Sequence, residues 1–343
     1  MTIHQESGRE PRRCQERGRL GLAAVDPSQQ RLVTKVARLY HVRGLRQAEI
    51  AARLNLSQSR VSRLLSQAEE AGVVRTVVVV PPGLHSDLED ALEVGYDLAE
   101  VHVVDVVADD EEELVRDLGQ AAAAVFAGSP LRGGTLGYTS WSRTLRHCVD
   151  AMVPQTSSAD VVVETLGDLG APTLQHAAAQ STERLAQLLG AEPLYLRAPG
   201  VVSDPHLREV LLGQDGHART TLAAMDAMDV VLVGTGPADV APPLGGDNFF
   251  SAEQFALARS LGAVGQVCLH FLDAEGQLLQ TPLDDLVIGA TAEQLRRTPR
   301  RVGVAGGAGK APAIRAALVG GWVNVLVTDT ETAQLLAASA PRR

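Results

Sequence analysis

The sequence predicts an α/β chain: an N-terminal winged helix-turn-helix followed by a mainly parallel sheet covered by helices on both faces. Three observations predict it. Residues 46–65, RQAEIAARLNLSQSRVSRLL, carry the apolar spacing of two short crossing helices. From Val101 onward, short Val-rich runs alternate with longer amphipathic stretches, the pattern of strands buried on both faces. The charge is also divided: residues 28–80 carry nine Arg and Lys against three Glu, a net of +6, whereas the whole chain carries −10. A basic module on an acidic body suits one nucleic-acid-binding face with the remainder kept off DNA.

In chain order, residues 1–27 are polar and Arg-rich with no apolar segment, and are expected to be a flexible arm. Asp26-Pro27 marks a helix start. Leu32, Val36, Leu39 and Tyr40 form one side of that first helix. In the helix-turn-helix, Ile50, Leu54, Val61 and Leu64 face inward, and Ala51 is small at the crossing. Asn55 stands at the turn, where a left-handed residue is usual. Leu56 plugs the turn into the core. Ser57 caps the second helix, a contribution of about 1 kcal/mol. Arg46 occupies the position where a capping Ser or Thr would serve the first. Gln58, Ser59, Arg60, Ser62 and Arg63 point outward from the second helix and are the candidate DNA-contacting residues. Ala71-Gly72 ends that helix, and Val73 to Val80 reads as the strand of a wing. Residues 28–80 thus form the DNA-binding domain.

Pro81-Pro82-Gly83 stops the wing and marks the boundary. Residues 81–98 are a linker and helix, with Leu84, Leu88, Ala91 or Leu92, and Gly95 along one stripe. Residues 99–343 form the second domain. Its strand candidates are Val101 to Val107, Thr135 to Tyr138, Asp160 to Thr165, Leu194 to Arg197, Asp229 to Val233, Val267 to Phe271, Arg301 to Ala305 and Val323 to Thr328. Helical patterns include Glu111 to Ala127, Thr173 to Leu189 and Lys310 to Leu318.

Ligands on such sheets bind at the carboxyl ends of the strands, and glycine and hydroxyl residues collect there. Gly137 to Thr144 follows one strand and Gly234-Thr235-Gly236 another. Gly262 to Gly265 precedes a third, and Ala305 to Lys310 opens a helix after a fourth. Glycine lets backbone amides approach an anion, and a helix N-terminus favours negative charge. Lys310 is the sole lysine of residues 81–343, where the other sixteen basic residues are Arg. That usage suggests a need for a compact ammonium. A nucleotide-binding P-loop is excluded, because Val304 stands where its first Gly belongs and Ala311 lacks the metal-binding hydroxyl. Cys14, Cys148 and Cys268 have no metal-type spacing, which fits a reducing cytoplasm. No apolar run approaches the length of a membrane span.

The chain resembles the SorC family of sugar-binding transcriptional regulators (DeoR-like in older groupings). The segments that carry the resemblance are 35–75, LGYTSWSRTL at 136–145, LYLRAPGVV at 194–202, GAVGQVCLHFLDAEG at 262–276, and 302–336 with its AGGAGK stretch. The resemblance implies a winged helix-turn-helix and a Rossmann-like effector domain related to sugar-phosphate isomerases and deaminases. It also implies phosphosugar effectors and a homotetramer. Carried over residue by residue, Gly137, Thr139 and Ser140 match the family's phosphate-side loop, and Lys310 matches its lysine. Gln266 stands where many members have an acid that contacts sugar hydroxyls. Residues 165–168 are acidic where some members carry an additional basic residue. With Gly234, these make the expected effector site Gly137, Thr139, Ser140, Gly234, Gln266 and Lys310.

The rival reading is a sugar-phosphate isomerase-like enzyme fused to a DNA-binding domain, since a fold is shared by many functions. A catalyst needs a placed base or nucleophile. No GxSxG, HExxH or carboxylate pair adjoins the glycine loops. Asp273 and Asp329 are expected as turn or cap residues, and His147 and Cys148 as packing. No catalytic residue, metal or cofactor is therefore expected. The expected partners are a double-stranded DNA operator, a phosphorylated sugar, and further copies of the chain in a dimer or tetramer, with no membrane.

Overall fold

The computed structural model describes residues 27–74, 84–106, 108, 110–128, 134–154, 159–239 and 244–341. The expected N-terminal arm, most of the wing strand and the Pro81-Pro82-Gly83 stop lie outside these residues. The chain divides into two compact units, residues 1–79 and 80–343.

In the first unit, α1 (Pro27–Ala37) runs into a π-helical turn, Arg38–Val42, and is followed by α2 (Gln47–Leu54) and α3 (Gln58–Glu70). The three helices share a core of Val33, Val36, Leu39, Ile50, Val61, Leu64, Leu65 and Ala68. The turn between α2 and α3 forms as its residues dictate. Asn55 is left-handed, at φ 54 and ψ 47. The Ser57 hydroxyl accepts from the Arg60 amide at 3.3 Å. Arg46 needs no hydroxyl, because its own amide donates to Glu49 at 2.8 Å, which leaves the acidic half of a capping box in place. One expectation fails. Tyr40 is exposed and Val33 takes its place inside. The π turn, closed by the Arg43 amide on the Arg38 carbonyl, inserts an extra residue and rotates position 40 out of the apolar stripe.

The second unit opens with α4 (Ser86–Tyr96), which ends on left-handed Asp97. Leu92 and Tyr96 are buried in this unit's own core, and Leu84 is exposed. Its strands are β1 (Glu100–Val104), β2 (Thr135–Tyr138), β3 (Val161–Glu164), β4 (Glu192–Leu194), β5 (Met228–Val233), β6 (Thr235–Gly236), β7 (Gly265–Val267), β8 (His270–Leu272), β9 (Arg300–Val304) and β10 (Val325–Asp329). The helices are α5 (Glu111–Gly128), α6 (Arg143–Ala151), α7 (Pro172–Leu189), α8 (Pro205–Gln214), α9 (Gly216–Ala224), α10 (Ala252–Ser260), α11 (Ala292–Arg297), α12 (Ala311–Val319) and α13 (Thr330–Ala338).

Seven strands form one parallel sheet in the order β1-β10-β9-β5-β2-β3-β4. Alternate side chains of one strand enter different cores. Val231 and Val233 join the cluster that includes Trp322 and Phe255, whereas Val230 and Leu232 join the one that includes Phe126 and Leu136. A strand buried on both faces has no polar position, which is why the sequence reads as Val runs rather than as alternation. After β2 the chain adds β3 and β4 on one side, then returns to place β5, β9 and β10 on the other. The order therefore reverses between β2 and β5. A crevice opens at the carboxyl ends of the strands at such a point.

The strand expected over Val267 to Phe271 is corrected. It is two antiparallel strands, β7 and β8, in a small sheet with β6. The turn between them is Cys268-Leu269, with φ of 49° and 65°. Two positive φ angles match the right-handed twist of a tight hairpin, and Asn-Gly is the usual sequence for it. Here one side-chain bond within the hairpin and one from outside it replace that preference. The Leu269 amide donates to Gln266 Oε1 at 2.9 Å, and Cys268 Sγ lies 3.2 Å from the Thr139 hydroxyl. The strand near Leu194 also begins and ends earlier than expected, at Glu192–Leu194.

Candidate functional site

Two sites emerge, one in each unit. In the first unit, Gln58, Ser59, Arg60, Ser62 and Arg63 are all exposed on α3, opposite the buried Val61, Leu64 and Leu65. Arg63 Nε donates to the Ser59 carbonyl at 3.3 Å, and the Ser59 hydroxyl lies 3.1 Å from that of Ser57. A second basic feature was not singled out in the sequence. Arg31, Lys35, Arg38, Arg43 and Arg53 line a cleft of about 790 Å³ between α1, the π turn and α2. Residues 31, 35 and 38 recur at helical spacing, which gathers their charges on one stripe.

In the second unit, a cavity of about 910 Å³ occupies the carboxyl edge of the parallel sheet, at the reversal between β2 and β5. Residues 304–310 after β9, Asp329 at the end of β10, and the segment after β1 also contribute to its wall. Thr139, Gly234, Gln266 and Lys310 all line it, so four of the six expected effector residues meet in one place. The other two do not. Gly137 lies within β2, where a Cβ would come within 2.4 Å of Met228 Sδ and 2.9 Å of Val231. Its glycine serves strand packing rather than the approach of a ligand. Ser140 is buried beside the cavity, and its carbonyl accepts from Arg146.

The glycine loops also carry internal duties. Gly262 to Gly265 does not stand at a strand end of the large sheet. It leads into β7, where a Cβ on Gly265 would lie 2.5 Å from that of Ala313. Gly234 permits the β2 and β5 loops to approach, since a Cβ there would lie 2.9 Å from Ser142 Cβ. At Gly306 a Cβ would fall 2.2 Å from Asp329 Oδ2. That carboxylate accepts from the Gly307 amide and the Thr332 hydroxyl, at 2.8 and 2.7 Å, while its other oxygen caps α13 through the Thr332 amide. Asp329 is thus the cap residue the sequence suggested. Asp273 is the turn residue, accepting from the amides of Glu275 and Gln277.

Thr139 reaches the wall with its groups already engaged. Its amide donates to Leu232, and its hydroxyl lies 2.8 Å from that of Thr165. Gln266 Oε1 is occupied by the Leu269 amide. Lys310 does not begin a helix; it is the last residue of a short 3₁₀ turn and precedes α12. Its ammonium lies 3.2 Å from Glu111 Oε1, and Arg143 Nη2 donates to the same oxygen at 3.0 Å. Lys310 first, and Arg143 after it, hold the Glu111 carboxyl below the usual range. Arg146 is a third cation of the lining, its pKa pushed down by burial, and guanidinium remains charged in proteins.

Glu111, Arg143 and Arg146 were absent from the expected site. Glu111 follows β1, and only the adjacency of β1, β10 and β9 brings that loop beside Lys310. The lining is also rich in apolar side chains: Trp141, Leu166, Leu169, Leu174, Leu244 and Phe249. The buried Trp141 indole N–H has no hydrogen-bond partner in the structure. Other carboxylates at the cavity are mostly committed: Asp110 accepts from the Glu113 amide and Asp239 pairs with Arg259.

Catalytic chemistry finds little support in these groups. Cys148 and Cys268 are free and buried. Burial pushes the Cys148 thiol up to about 12 and raises that of Cys268 as well. Nucleophilic attack requires thiolate, which both environments disfavour. His147 flanks Gly119 in the packing of α5 against α6. Among the described residues no cluster of three or more His, Cys, Asp or Glu could hold a metal, and no helix is long and apolar enough to cross a membrane.

Comparison with known proteins follows the same division. Residues 81–338 match the family described as "Putative sugar-binding domain", and residues 22–70 match sigma-70, region 4. The chain is 30% identical over 312 residues to the deoxyribonucleoside regulator of Bacillus subtilis, spanning 91% of this chain and 99% of that protein. It is 28% identical over 308 residues to the sorbitol operon regulator of Klebsiella pneumoniae, spanning 89% and 97%. The crystal structure of full-length SorC, the sorbitol operon regulator from Klebsiella pneumoniae, matches with a TM-score of 0.63 at 28% identity, covering 90% of this chain and 99% of that one. A sugar-binding domain of a DeoR regulator from Pseudomonas syringae pv. tomato matches with a TM-score of 0.57 at 32% identity, covering 74% and 99%.

Proposed function

The chain belongs to the SorC family of sugar-binding transcriptional regulators, and on that footing we propose that a small phosphorylated sugar, bound in the second unit, controls how tightly the first unit holds its operator. The observation that carries the reading is the convergence of Lys310 and Arg143 on one oxygen in the cavity at the sheet's reversal point, with Arg146 also in its lining. A phosphate ester near neutral pH carries close to two negative charges and three acceptor oxygens. Clustered ammonium and guanidinium donors suit it better than they suit a neutral sugar. The apolar lining with Trp141 and Phe249 offers flat surface for the C–H faces of the sugar body. Gln266 keeps its amide N–H₂ toward the ligand's hydroxyls while its oxygen holds the hairpin turn.

In the first unit, α3 is the recognition helix, with Gln58, Ser59, Arg60, Ser62 and Arg63 facing base edges and phosphates. Two subunits reading two half-sites give the contact area that one small module lacks, so the working form is a dimer or tetramer acting on DNA in the cytoplasm. Ligand shifts the operator equilibrium only by its differential affinity for the two states. Thermal-shift screening of the full chain against sugar phosphates tests the reading, since a ligand at 100 times its dissociation constant adds about 2.7 kcal/mol. A sugar phosphate that raises the melting temperature and alters operator retention in gel shift is the expected result. Turnover of that compound, with no effect on operator binding, would establish the isomerase-like alternative instead.

A further inference from the structure

Glu111 stands where a ligand's own anion belongs. Lys310 is the sole lysine of residues 81–343, and it reaches the cavity wall with a side chain only 23% exposed. Its ion pair is with Glu111, and so is that of Arg143. Both cations converge on a single oxygen, Oε1, at 3.2 and 3.0 Å. The three residues come from three different elements, the starts of α5 and α6 and the turn before α12. An oxygen that engages both donors at hydrogen-bond distance competes with Oε1 for them. A phosphoryl group left beside an ionised carboxylate would also meet like-charge repulsion.

We infer that Glu111 is an internal competitor for the phosphate position, displaced when ligand binds, and that it sets the minimum negative charge a ligand must carry. The inference rests on the reading of this cavity as a phosphate-ester site. Displacement is feasible because the Glu111 side chain is 61% exposed, and exposed ion pairs are weak. A dianionic phosphate ester replaces one carboxylate charge with nearly two and gains from the exchange. A monoanionic ester, such as a sulfate, replaces like with like and gains little. The carboxylate therefore rejects weakly charged ligands by occupying their donors, without any steric barrier.

The test uses methyl phosphate and methyl sulfate, which carry the two head groups alone, titrated calorimetrically into the full chain as wild type, Glu111→Gln and Lys310→Ala. Glu111 is exposed, so loss of its carboxylate should leave folding intact, which a melting curve checks. Glu111→Gln should bind methyl phosphate about two- to fivefold more tightly, the range of a released surface ion pair. It should gain more for methyl sulfate, so that the preference for phosphate over sulfate shrinks. If Lys310→Ala weakens methyl phosphate binding while Glu111→Gln leaves it unchanged or weaker, Glu111 is a brace for the cations and the competitor role is overturned, with the phosphate reading intact. If neither ester binds, or Lys310→Ala changes nothing, the phosphate reading fails and the competitor role fails with it.

Discussion

Replacing Lys310 by alanine removes the sole lysine ammonium of the proposed effector site. A charge-assisted hydrogen bond contributes about 1.5–3 kcal/mol, so effector affinity should fall by roughly 10- to 150-fold. The environment argues for a loss within this range rather than below it. Lys310 is mostly enclosed, so bulk water cannot take over its role. Its removal also leaves the Glu111 carboxylate with Arg143 alone, an added repulsion toward an arriving phosphate. The cost to folding should be small, because the partner carboxylate is largely exposed and such pairs contribute about 0–1 kcal/mol. Lys310→Arg should rescue only in part, since a planar fork does not reproduce a compact ammonium. Calorimetric titration of the cognate sugar phosphate measures the change, and gel shift without effector should show normal operator binding. Equal effector affinity in wild type and Lys310→Ala would remove Lys310 from the site and leave the family assignment untouched.

Three further outcomes are expected. Arg60→Ala should cost about 1–3 kcal/mol of operator affinity if its guanidinium pairs a guanine, and Arg63→Ala should flatten the salt dependence by losing a phosphate contact; unchanged affinity in a folded double variant would take α3 out of the DNA interface. Light scattering at micromolar concentration should show a dimer or larger, and a monomer both with and without operator would contradict paired half-site reading. Gly306→Ala should destabilise the second unit by about 1–3 kcal/mol through its clash with Asp329, whereas Gly309→Ala, with nothing within 4 Å of the added carbon, should melt as wild type does; similar losses in both would mean that loop flexibility, not this contact, sets the need for glycine.

The sequence made some parts of this molecule legible because their causes are local. A left-handed Asn55, a Ser57 cap and apolar spacing of three and four residues are decided within a few positions of one another. The Val-rich strands were readable for a related reason, since burial on both faces leaves its mark on every residue of the run. What escaped was set by contacts distant in sequence. The Cys268-Leu269 turn, which lacks glycine and asparagine, is held from the side by Thr139, 129 positions away. Glu111 lies 199 positions from Lys310, and only the pairing of β1 with β10 and of β10 with β9 makes them neighbours. Gly137 misled in the opposite direction. A glycine at a strand end looks like a ligand loop, and Met228, whose sulfur claims that space, cannot be foreseen from spacing.

Asp329 gives the cavity a mechanical property. One carboxylate fastens the glycine loop through Gly307 and starts α13 through Thr332, so loop and helix behave as a single lever pivoting at the end of β10. A ligand that pulls on residues 306–310 must break two hydrogen bonds or carry the head of α13 with it. The far end of that lever is tied down as well. The Tyr96 hydroxyl of α4 donates to the Leu336 carbonyl of α13 at 2.8 Å, and Gly95 faces Ala340 with no room for a side chain between them. Since α4 is the first helix among the described residues of the second unit, a push delivered at the glycine loop arrives, through one helix, at the start of that unit.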